Sequence, residues 1–454
     1  MEKEADILSK VKKIHFIGIG GAGMSALAEI LFHKGYQLTG SDNNPSDTLT
    51  RIKALGIPVS MGHRPENIGD AELVVHTAAV HDDNPEIVAA KQRGIPVIDR
   101  AKLLGLISLR FPRTIAISGT HGKTTTTCMA TQIMLTAGLD PTAIIGGKLP
   151  LIGGNSRVGK TDLMVCEACE FVDSFLSLHP AVSVILNIDD DHLDYFKTMD
   201  NLIAHFGIFA SQTSHALVIN GDDANTLKAV SGSGLPKITF GLSSGNDYCA
   251  ANISTVSGRV CFDIMYRGKK SASIALKVPG KHNILNALAA CAASAQAGAG
   301  WDAIEKGLNE YSGAGRRFEI LGTFGGVTVA DDYAHHPTEV KATLEAAKSL
   351  DYKKVWAVFQ PFTYSRTVML MQDFADVLKI ADRVVLAEIM GSREVNTYNV
   401  YSKDLAAKVP GSVWFPTFRE IADYVVKNAE PGDLVITLGC GDIYKAAKMM
   451  LGKA

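Results

Sequence analysis

A glycine-rich loop decides the fold, and it reads Ser118-Gly119-Thr120-His121-Gly122-Lys123-Thr124-Thr125 within RTIAISGTHGKTTTTCMATQIMLTAG (residues 113–138). An apolar β-rich run precedes the loop and a segment with helical spacing follows it, which predicts a strand, a tight turn and a helix. The loop is a shortened phosphate-binding motif, G-x-x-G-K-T, because Ile117 occupies the position of the usual first glycine. It is predicted to bind nucleotide phosphates through backbone amides and Lys123, with the Thr124 hydroxyl available to Mg²⁺.

Two segments after the loop carry acidic side chains at the ends of predicted strands. LMVCEACE (residues 163–170) ends in Glu167 and Glu170, and AVSVILNIDDDHLDYF (residues 181–196) carries several aspartates and His192. Carboxylates and an imidazole beside a phosphate loop suit magnesium-dependent phosphoryl transfer. Helix caps and solvated loop acids are the alternative. The C-x-x-C within the first segment has no second copy and is interpreted as strand packing.

A second glycine loop lies near the N-terminus, where Gly18-Ile19-Gly20-Gly21-Ala22-Gly23 matches G-x-G-x-x-G between a strand and a helix. Asp42 ends the next predicted strand, about where a ribose-binding acid is expected. The motif predicts recognition of a diphosphate at a helix N-terminus. Taken alone it favours an NAD-dependent dehydrogenase, but UDP-sugars carry the same diphosphate. A tight turn without a ligand is the remaining alternative.

The same order of strand, turn and helix recurs in VTVADDYAHHPTEVKATLEAAK (residues 327–348), which VWAVFQP follows. Strands alternating with helices predict an α/β protein with mainly parallel sheets. We predict three domains, at residues 1–110, 111–315 and 316–454: two Rossmann-like domains flanking a P-loop ATPase-like domain. Short alternating runs between Lys237 and Val278 predict antiparallel hairpins inserted in the central domain, with a turn at residues 267–269.

Composition restricts the possible functions. The chain has 454 residues, 46% of them hydrophobic, and 45 basic against 47 acidic side chains. This balance gives no general attraction to nucleic acid or to an anionic membrane. No apolar stretch reaches the length of a membrane helix or of a signal peptide. Seven cysteines fit reduced thiols, so we expect a cytoplasmic protein.

Taken together, these motifs resemble the Mur ligase family, and within it the branch that adds L-alanine. The resemblance covers nearly the whole chain. Its segments are FIGIGGAGMSALA, GSD, SGTHGKTTTT, CEACEFVDSFLSLHP, NIDDDHLDYF, GKHNILNALAA, GAGRRFE, DDYAHHPTE, QPFTYSRT and TLGCGDI. The resemblance implies an ATP-dependent ligase that joins L-alanine to the lactyl carboxylate of UDP-N-acetylmuramate through an acyl phosphate, in peptidoglycan precursor synthesis. We expect a monomer or homodimer using Mg²⁺ or Mn²⁺.

Individual roles follow from the resemblance, motif by motif. Around the diphosphate of the UDP-sugar it implies Gly18, Gly20, Gly21 and Gly23. Around ATP it implies Lys123, His282, Asn283, Asn286, Arg317 and Asp332, with the last two reaching it from the C-terminal side. Around two metal ions it implies Thr124 and Glu170 on one and His192 on the other. Around the incoming alanine and the developing phosphate it implies His335, His336 and Arg366.

Some positions of this chain depart from the family pattern. Many relatives read DESD where this chain has residues 169–172, Cys-Glu-Phe-Val, and Phe362 and Thr363 replace an expected histidine and arginine. A catalytic base for the amine stays open between His335, His336 and none. Rival functions are a ligase that attaches a recycled peptide to the same UDP-sugar, a dehydrogenase, and a nucleotide switch without catalysis.

Overall fold

The computed structural model describes residues 7–256, 259–392 and 394–453. These residues form two compact units. The first comprises the chain up to Cys249 with Met265–Ala272 and Asn286–Gly307, and the second comprises Ala250–Ile264, Ser273–Leu285 and the chain from Leu308 onward. The strands of the described ranges form three sheets. None of the helices described is long and apolar enough to cross a bilayer.

The first sheet is parallel throughout, with the order β3-β2-β1-β4-β5. Its strands are Lys13–Ile17 (β1), Gln37–Asp42 (β2), Val59–Met61 (β3), Leu73–His76 (β4) and Val97–Asp99 (β5). Its helices are Ile7–Lys10 (α1), Ala22–His33 (α2), Asp47–Ala54 (α3), Pro85–Gln92 (α4) and Arg100–Ser108 (α5). The strand order reverses between β1 and β4, so the glycine loop after β1 opens at the crevice where such sheets bind ligands.

The second sheet carries the phosphate loop, and seven of its strands lie in the first unit in the order β12-β11-β10-β6-β9-β7-β8. They are Arg113–Ser118 (β6), Thr142–Leu149 (β7), Gly154–Arg157 (β8), Leu163–Glu167 (β9), Val182–Ile185 (β10), Ala216–Asn220 (β11) and Lys237–Gly241 (β12). The accompanying helices are Lys123–Thr136 (α6), Leu193–Phe196 (α7), Met199–Ser211 (α8) and Ala224–Ala229 (α9). Strand β6 pairs in parallel with β9 and β10, which confirms that both acid-bearing segments flank the loop.

Three further strands and two helices are divided between the units: Tyr248–Val256 (β13), Arg259–Tyr266 (β14), Lys269–Ala275 (β15), His282–Gln296 (α10) and Trp301–Glu310 (α11). Arg267 and Gly268 have φ angles of 48° and 76°, the left-handed pair that a two-residue hairpin turn requires. The predicted turn is therefore confirmed. The prediction of a hairpin at residues 237–241 is wrong, because β12 pairs in parallel with β11.

The third sheet has the order β16-β17-β21-β18-β19-β20, and only its β16–β17 pair is antiparallel among the registered pairs. Its strands are Glu319–Phe324 (β16), Val327–Asp332 (β17), Val355–Phe359 (β18), Arg383–Ala387 (β19), Val413–Phe415 (β20) and Leu434–Leu438 (β21). Its helices are Pro337–Lys348 (α12), Tyr364–Met369 (α13), Met371–Leu378 (α14), Ser402–Ala406 (α15), Phe418–Asn428 (α16) and Tyr444–Met450 (α17). Separate apolar clusters cover its two faces, as an α/β sheet with helices on both sides requires.

Short 3₁₀ segments occupy Pro65–Ile68, Pro150–Ile152 and Phe171–Ser177. The third of these packs against α5 so closely that a Cβ placed on Gly105 would collide with the carbonyl oxygen of Ser177. Helix α5 begins at Arg100, beside the first glycine loop, and the 3₁₀ segment follows Glu170 directly. The first two sheets thus share a tight contact next to the predicted site.

Candidate active site

The phosphate loop has the backbone that its glycines permit. Gly119 and Gly122 have φ angles of 134° and 87°, in the region that disfavours other residues. Gly122 is the N-cap of α6, so the helix begins at Lys123 with its free amides directed at the loop. A Cβ on Gly119 would lie 2.8 Å from the Leu186 side chain. Residues 119–125 therefore lie at a helix N-terminus, where a phosphate group would bind.

Lys123 is held inside the loop by a buried ion pair. Its Nζ donates to both carboxylate oxygens of Glu170, at 3.0 and 2.8 Å, and to the carbonyl oxygens of Gly119 and Thr120, at 2.5 and 3.1 Å. The Glu170 side chain is only 2% exposed. Burial lowers the pKa of Lys123, but the charge and the hydrogen bonds of Glu170, together with the other acidic groups nearby, outweigh burial and raise the pKa above its ordinary value. The lysine is therefore a fixed cation, as phosphate binding requires.

Asn187, just beyond strand β10, braces the loop. Its Oδ1 accepts from the backbone N–H of His121 at 2.8 Å, and its Nδ2 donates to the His121 carbonyl at 3.1 Å. The backbone N–H of Thr120 donates to the Asn187 carbonyl at 3.0 Å. The His121 ring lies 3.2 Å from an oxygen of Asp189. Asn187 lies in the segment of residues 181–196 that the sequence analysis singled out for its acids and His192, but this bracing role was not predicted.

The turn after Glu170 has an unusual backbone. Val172 and Asp173 have φ angles of 51° and 56°, and neither is glycine. Each such residue costs about 1 to 3 kcal/mol, and a β-branched valine is the less tolerant of the two. The ring of Phe171 packs against the ring of His192, with centroids 4.8 Å apart. The turn therefore brings the Glu170 and His192 segments together at an energetic cost that other contacts must offset.

The predicted metal ligands lie on either side of the phosphate loop, and the fit of a cation can be judged from their chemistry. Thr124 is buried at the start of α6, Glu170 is buried beside Lys123, and His192 follows the aspartate run. A hydroxyl and a carboxylate are hard oxygen donors of the kind that Mg²⁺ prefers, and an imidazole also suits Mn²⁺. The donor set therefore fits either ion. No preassembled cluster of three His, Cys, Asp or Glu ligands occurs among the described residues.

The first glycine loop is bound to the neighbouring strand β2. The backbone N–H groups of Gly18 and Ile19 donate to the Ser41 carbonyl at 2.8 and 3.1 Å. The Gly20 N–H donates to Asp42 Oδ2 at 2.9 Å. Asp42, expected from the motif to bind a ribose, therefore uses one carboxylate oxygen to hold the loop. Its other oxygen accepts from the Asn44 N–H at 3.0 Å.

A fully buried carboxylate supports this loop from below. The Ser41 hydroxyl donates to Glu86 Oε2 at 2.6 Å, and Asn67 Nδ2 donates to Glu86 Oε1 at 2.5 Å. His15 Nε2 and His63 Nδ1 lie 3.4 and 3.5 Å from the same carboxylate. Burial acts to raise the pKa of Glu86, but the hydrogen bonds from His15, Ser41 and Asn67 lower it to about 2. Glu86 is therefore ionised and fully bonded at neutral pH.

A cavity of about 170 Å³ lies between the first glycine loop and the second sheet. The cavity is lined by the start of α2, the start of α5, strands β7 and β9, and the segment after Glu170. The lining residues are Ala22, Gly23, Arg100, Ala101, Leu104, Ile144, Ile145, Gly146, Asn155, Glu167, Cys169, Ser174, Phe175 and Leu178. A Cβ on Gly23 would lie 3.0 Å from Arg100 Cδ, so the arginine covers the helix N-terminus. The sequence analysis did not predict Arg100 as a site residue. Its position as the first residue of the helix after β5 is the sequence feature that could have indicated it.

Asp332 and Arg317 lie close together in the second unit. Asp332 ends strand β17 and accepts from the N–H groups of Phe318 and Ala334 at 2.7 and 2.8 Å. Burial raises the pKa of Asp332 to about 6, against a lowering by Arg317. The Arg317 guanidinium lies 5.1 Å from the centroid of the Tyr333 ring. Arg317 and Asp332 are therefore neighbours in this unit, and their binding of ATP stays a prediction.

Two histidines and an arginine predicted near the alanine also lie in this unit. His336 is buried, and its Nδ1 accepts weakly from the Thr338 N–H at 3.4 Å, so this ring caps helix α12. His335 Nδ1 lies 3.1 Å from the Tyr333 carbonyl and 3.3 Å from Glu339. Arg366 lies in the first turns of α13 and contributes a positive field at Cys440. The cap gives His336 a structural task that the motif did not indicate.

The three residues predicted near adenine begin helix α10 and divide between the units. In the first unit, Asn286 lies behind the phosphate loop, where its Oδ1 accepts from Thr126 Oγ1 at 3.3 Å. In the second unit, Asn283 Nδ2 donates to the Pro279 carbonyl at 2.6 Å. Burial, with a smaller effect of Arg317, lowers the pKa of His282 to about 4, so its ring is neutral at pH 7.

Family models match almost the whole chain in three consecutive parts. The Mur ligase family catalytic domain matches residues 13–112, the Mur ligase middle domain matches residues 117–294, and the Mur ligase glutamate ligase domain matches residues 316–441. The three matches correspond to the three sheets in order. The positions of the domain boundaries, near Arg110 and Gly315, stay predictions.

Similar proteins extend over the same length. The UDP-N-acetylmuramate–L-alanine ligase of Acetivibrio thermocellus is 47% identical over 98% of this chain and 96% of its own. That of Caldanaerobacter subterraneus subsp. tengcongensis is 45% identical over 98% of both. The crystal structure of UDP-N-acetylmuramate-alanine ligase MurC from Thermotoga maritima has a TM-score of 0.83 at 29% identity and covers 97% of this chain and 98% of its own. With both glycine loops and all three sheets accounted for, the chain belongs to the Mur ligase family.

Proposed function

We propose that this chain is an ATP-dependent ligase that forms an amide between the lactyl carboxylate of UDP-N-acetylmuramate and L-alanine, in peptidoglycan precursor synthesis. The observation that carries the proposal is the buried Lys123–Glu170 pair on a phosphate loop, in the same unit as a cavity that is lined by the first glycine loop and by Cys169, the residue before Glu170. A phosphoryl donor and a diphosphate-bearing acceptor can therefore meet in one unit. The names of relatives at 45–47% identity supply the identity of the two substrates.

The reaction requires activation of the carboxylate, because an amine does not displace oxide from a carboxylate in water. A carboxylate oxygen of the lactyl group attacks the γ-phosphorus of ATP, the bond to the β-phosphate oxygen breaks, and ADP leaves. The alanine amine then attacks the acyl carbon of the acyl phosphate. The tetrahedral intermediate expels phosphate, the C–N bond is complete, and the amine loses a proton.

Lys123 and the loop amides act mainly on the first step, in which two anions must approach each other. The lysine neutralises the β- and γ-phosphate oxygens, and the amides at the start of α6 hold them in line. Arg100, beside Gly23, adds positive charge near the diphosphate of the UDP-sugar. Two divalent cations, one held by Thr124 and Glu170 and the other by His192, would supply further charge neutralisation on the phosphates. Positioning and charge thus account for the chemistry without a protein nucleophile.

Residues of the second unit complete the proposal. The family resemblance assigns Arg317 and Asp332 of this unit to the nucleotide, and it assigns Asn283 and the neutral His282 ring to adenine, as it does Asn286 of the first unit. The resemblance assigns Arg366, His335 and His336 to the alanine and the developing phosphate, and the His336 ring also caps helix α12. The cytoplasmic location and the monomeric or homodimeric state stay predictions.

The test is phosphate release by the full chain with ATP, Mg²⁺ and UDP-N-acetylmuramate, adding L-alanine, glycine, L-serine or a tripeptide in separate reactions. We expect release that requires both the UDP-sugar and L-alanine, and a product whose mass increases by one alanyl residue. Release with the tripeptide alone would replace the acceptor and keep the mechanism. Tight NADH binding with no phosphate release under any condition would overturn the proposal.

A further inference from the structure

Asp173 lies in the strained turn after Glu170, and it makes three contacts with its surroundings. Its Oδ2 accepts from the Tyr195 hydroxyl at 2.6 Å, and its Oδ1 lies 2.5 Å from His205 Nδ1. Its backbone N–H donates to the Glu170 carbonyl at 3.0 Å. The Asp173 side chain is about a quarter exposed, so these hydrogen bonds lie near the protein surface.

The contacts of Asp173 connect the two segments that hold the predicted metal ligands. Tyr195 follows His192 by three residues, and its backbone N–H donates to the His192 carbonyl at 2.9 Å. A continuous path therefore runs from the Glu170 carbonyl through Asp173 and Tyr195 to the His192 carbonyl. The Phe171–His192 ring contact closes the path on its other side.

His205 fixes this path to the body of the first unit. It belongs to helix α8, whose side chains Phe206 and Phe209 pack on Phe175 in the core, with ring centroids 5.2 and 4.9 Å away. The hydrogen bond to Asp173 also raises the pKa of Tyr195, which keeps its phenol a donor. A rigid helix, a carboxylate and a phenol thus hold two consecutive left-handed residues that favour no such conformation on their own.

We propose that Asp173 is a positioning residue that holds the Glu170 turn and the His192 segment in register, and thereby sets how this ligase receives its divalent cation. The inference rests on the function proposed above. Asp173 touches no reacting atom, and its effect passes through Glu170 and His192. In this chain the second acid of the turn stands at residue 173, after Phe171 and Val172, and its partners are Tyr195 and His205.

The experiment compares Asp173→Ala, Asp173→Asn and Tyr195→Phe with the unaltered chain. Outer residues that orient metal ligands change metal affinity or activity by about 10–100-fold. We expect Asp173→Ala to lower kcat and to raise the half-saturating Mg²⁺ concentration within that range. The KM for L-alanine should change less than about threefold. Asp173→Asn keeps an acceptor for Tyr195 and should recover part of the loss.

Three further measurements separate positioning from general destabilisation. Asp200 lies on the same helix as His205 and forms an exposed ion pair with Lys228. Asp200→Ala removes this pair and should leave the Mg²⁺ dependence unchanged. The Asp173→Ala, Tyr195→Phe double variant should lose little more than Asp173→Ala alone, because both act through one bond. Mg²⁺-dependent ATP binding, measured by calorimetry without the other substrates, should weaken in parallel.

Two results would overturn the inference. One is an unchanged kcat and Mg²⁺ dependence in a folded Asp173→Ala chain. The other is a loss that follows the melting temperature while the Mg²⁺ dependence of ATP binding stays that of the unaltered chain. Failure of the proposed function gives a different result, since the unaltered chain would then release no phosphate with UDP-N-acetylmuramate and L-alanine, whatever the variants do to Mg²⁺-dependent ATP binding.

Discussion

The two glycine loops of the first unit share the same strand–loop–helix arrangement but are surrounded by different side chains. Each follows a buried parallel strand and begins a helix, at Ala22 in one case and at Lys123 in the other. The first loop donates a backbone N–H to Asp42, and the second encloses a lysine that is paired with Glu170. In the function proposed here, the first loop holds a diphosphate unchanged, and the second neutralises a phosphoryl group that is transferred.

In both loops the glycine motif fixes the backbone conformation, while the neighbouring strand supplies the side chains that determine the chemistry. Strand β2 delivers Asp42 to the first loop, and β9 leads to Glu170 at the second. Because β9 and β10 flank β6, the second loop gains both a carboxylate and an amide brace from its neighbours. Substitutions in the first loop should therefore affect mainly the binding of the UDP-sugar, and substitutions in the second loop should affect mainly kcat.

The largest expected effect is at Lys123. Lys123→Ala removes the cation that neutralises the transferring phosphate, and losses of this kind lower kcat by about 10²–10³-fold or more. Binding of the UDP-sugar, measured by calorimetry, should change less than about threefold, since the first loop is untouched. Lys228→Ala, an exposed lysine in an ion pair, is the matched control. Near-normal turnover in Lys123→Ala would remove the distinction between the loops.

An intermediate effect of the opposite kind is expected at Gly20. A Cβ there would lie 2.9 Å from Asp42 Oδ2 and 3.3 Å from Leu49 Cδ1, so Gly20→Ala forces the loop to shift. Overpacking of this kind costs about 1 to 3 kcal/mol, which raises the KM for the UDP-sugar about 5–150-fold. The kcat at saturating UDP-sugar should stay within about threefold. Gly232→Ala, where a Cβ meets nothing within 4 Å, is the control.

The smallest effect concerns the support of the first loop and is visible only in acid. The pKa of Glu86 is about 2 in the folded chain, below its ordinary value of 4.5. The unfolded chain therefore binds more protons as the pH falls below about 4.5, and the stability contributed by Glu86 is lost toward pH 2. We expect a loss of about 1 to 2 kcal/mol between pH 5 and 3.

The measurement is the melting temperature of the first unit's transition across that range. Glu86→Gln should flatten the curve and leave kcat at pH 7.5 within about twofold. An equally steep curve in Glu86→Gln would show that other carboxylates cause the acid lability of this unit. Because the chain has several domains, the transition must be followed by more than one probe.

Local patterns predicted the parts of the site that local structure determines. The strand, loop and helix around Lys123 and the acids at the ends of neighbouring strands were found from spacing alone, because parallel strands bring their carboxyl ends to one edge. The run at residues 237–241 was misassigned because alternating apolar residues do not reveal which strand lies alongside. Pairing depends on tertiary packing, which a short window does not contain.

The contacts that sequence reasoning missed all join distant segments. Asn187 braces the loop across 66 residues of chain, and Arg100 reaches the first loop from helix α5. His336 was predicted from its motif as a catalytic residue, and the structure adds a capping bond to a backbone amide two residues on. The catalytic and binding roles carried from the family resemblance stay predictions until the variants are measured.

The close contact at Gly105 has a consequence for how this chain can vary. Helix α5 carries Arg100 at one end and at Gly105 meets the carbonyl of Ser177, which ends the segment following Glu170. A saturation library at this position should tolerate almost no substitution, although the residue touches no substrate. A single added methyl group at Gly105 would push apart helix α5 and the segment after Glu170, on which both sites depend. Homologues with altered binding sites are therefore expected to keep this glycine.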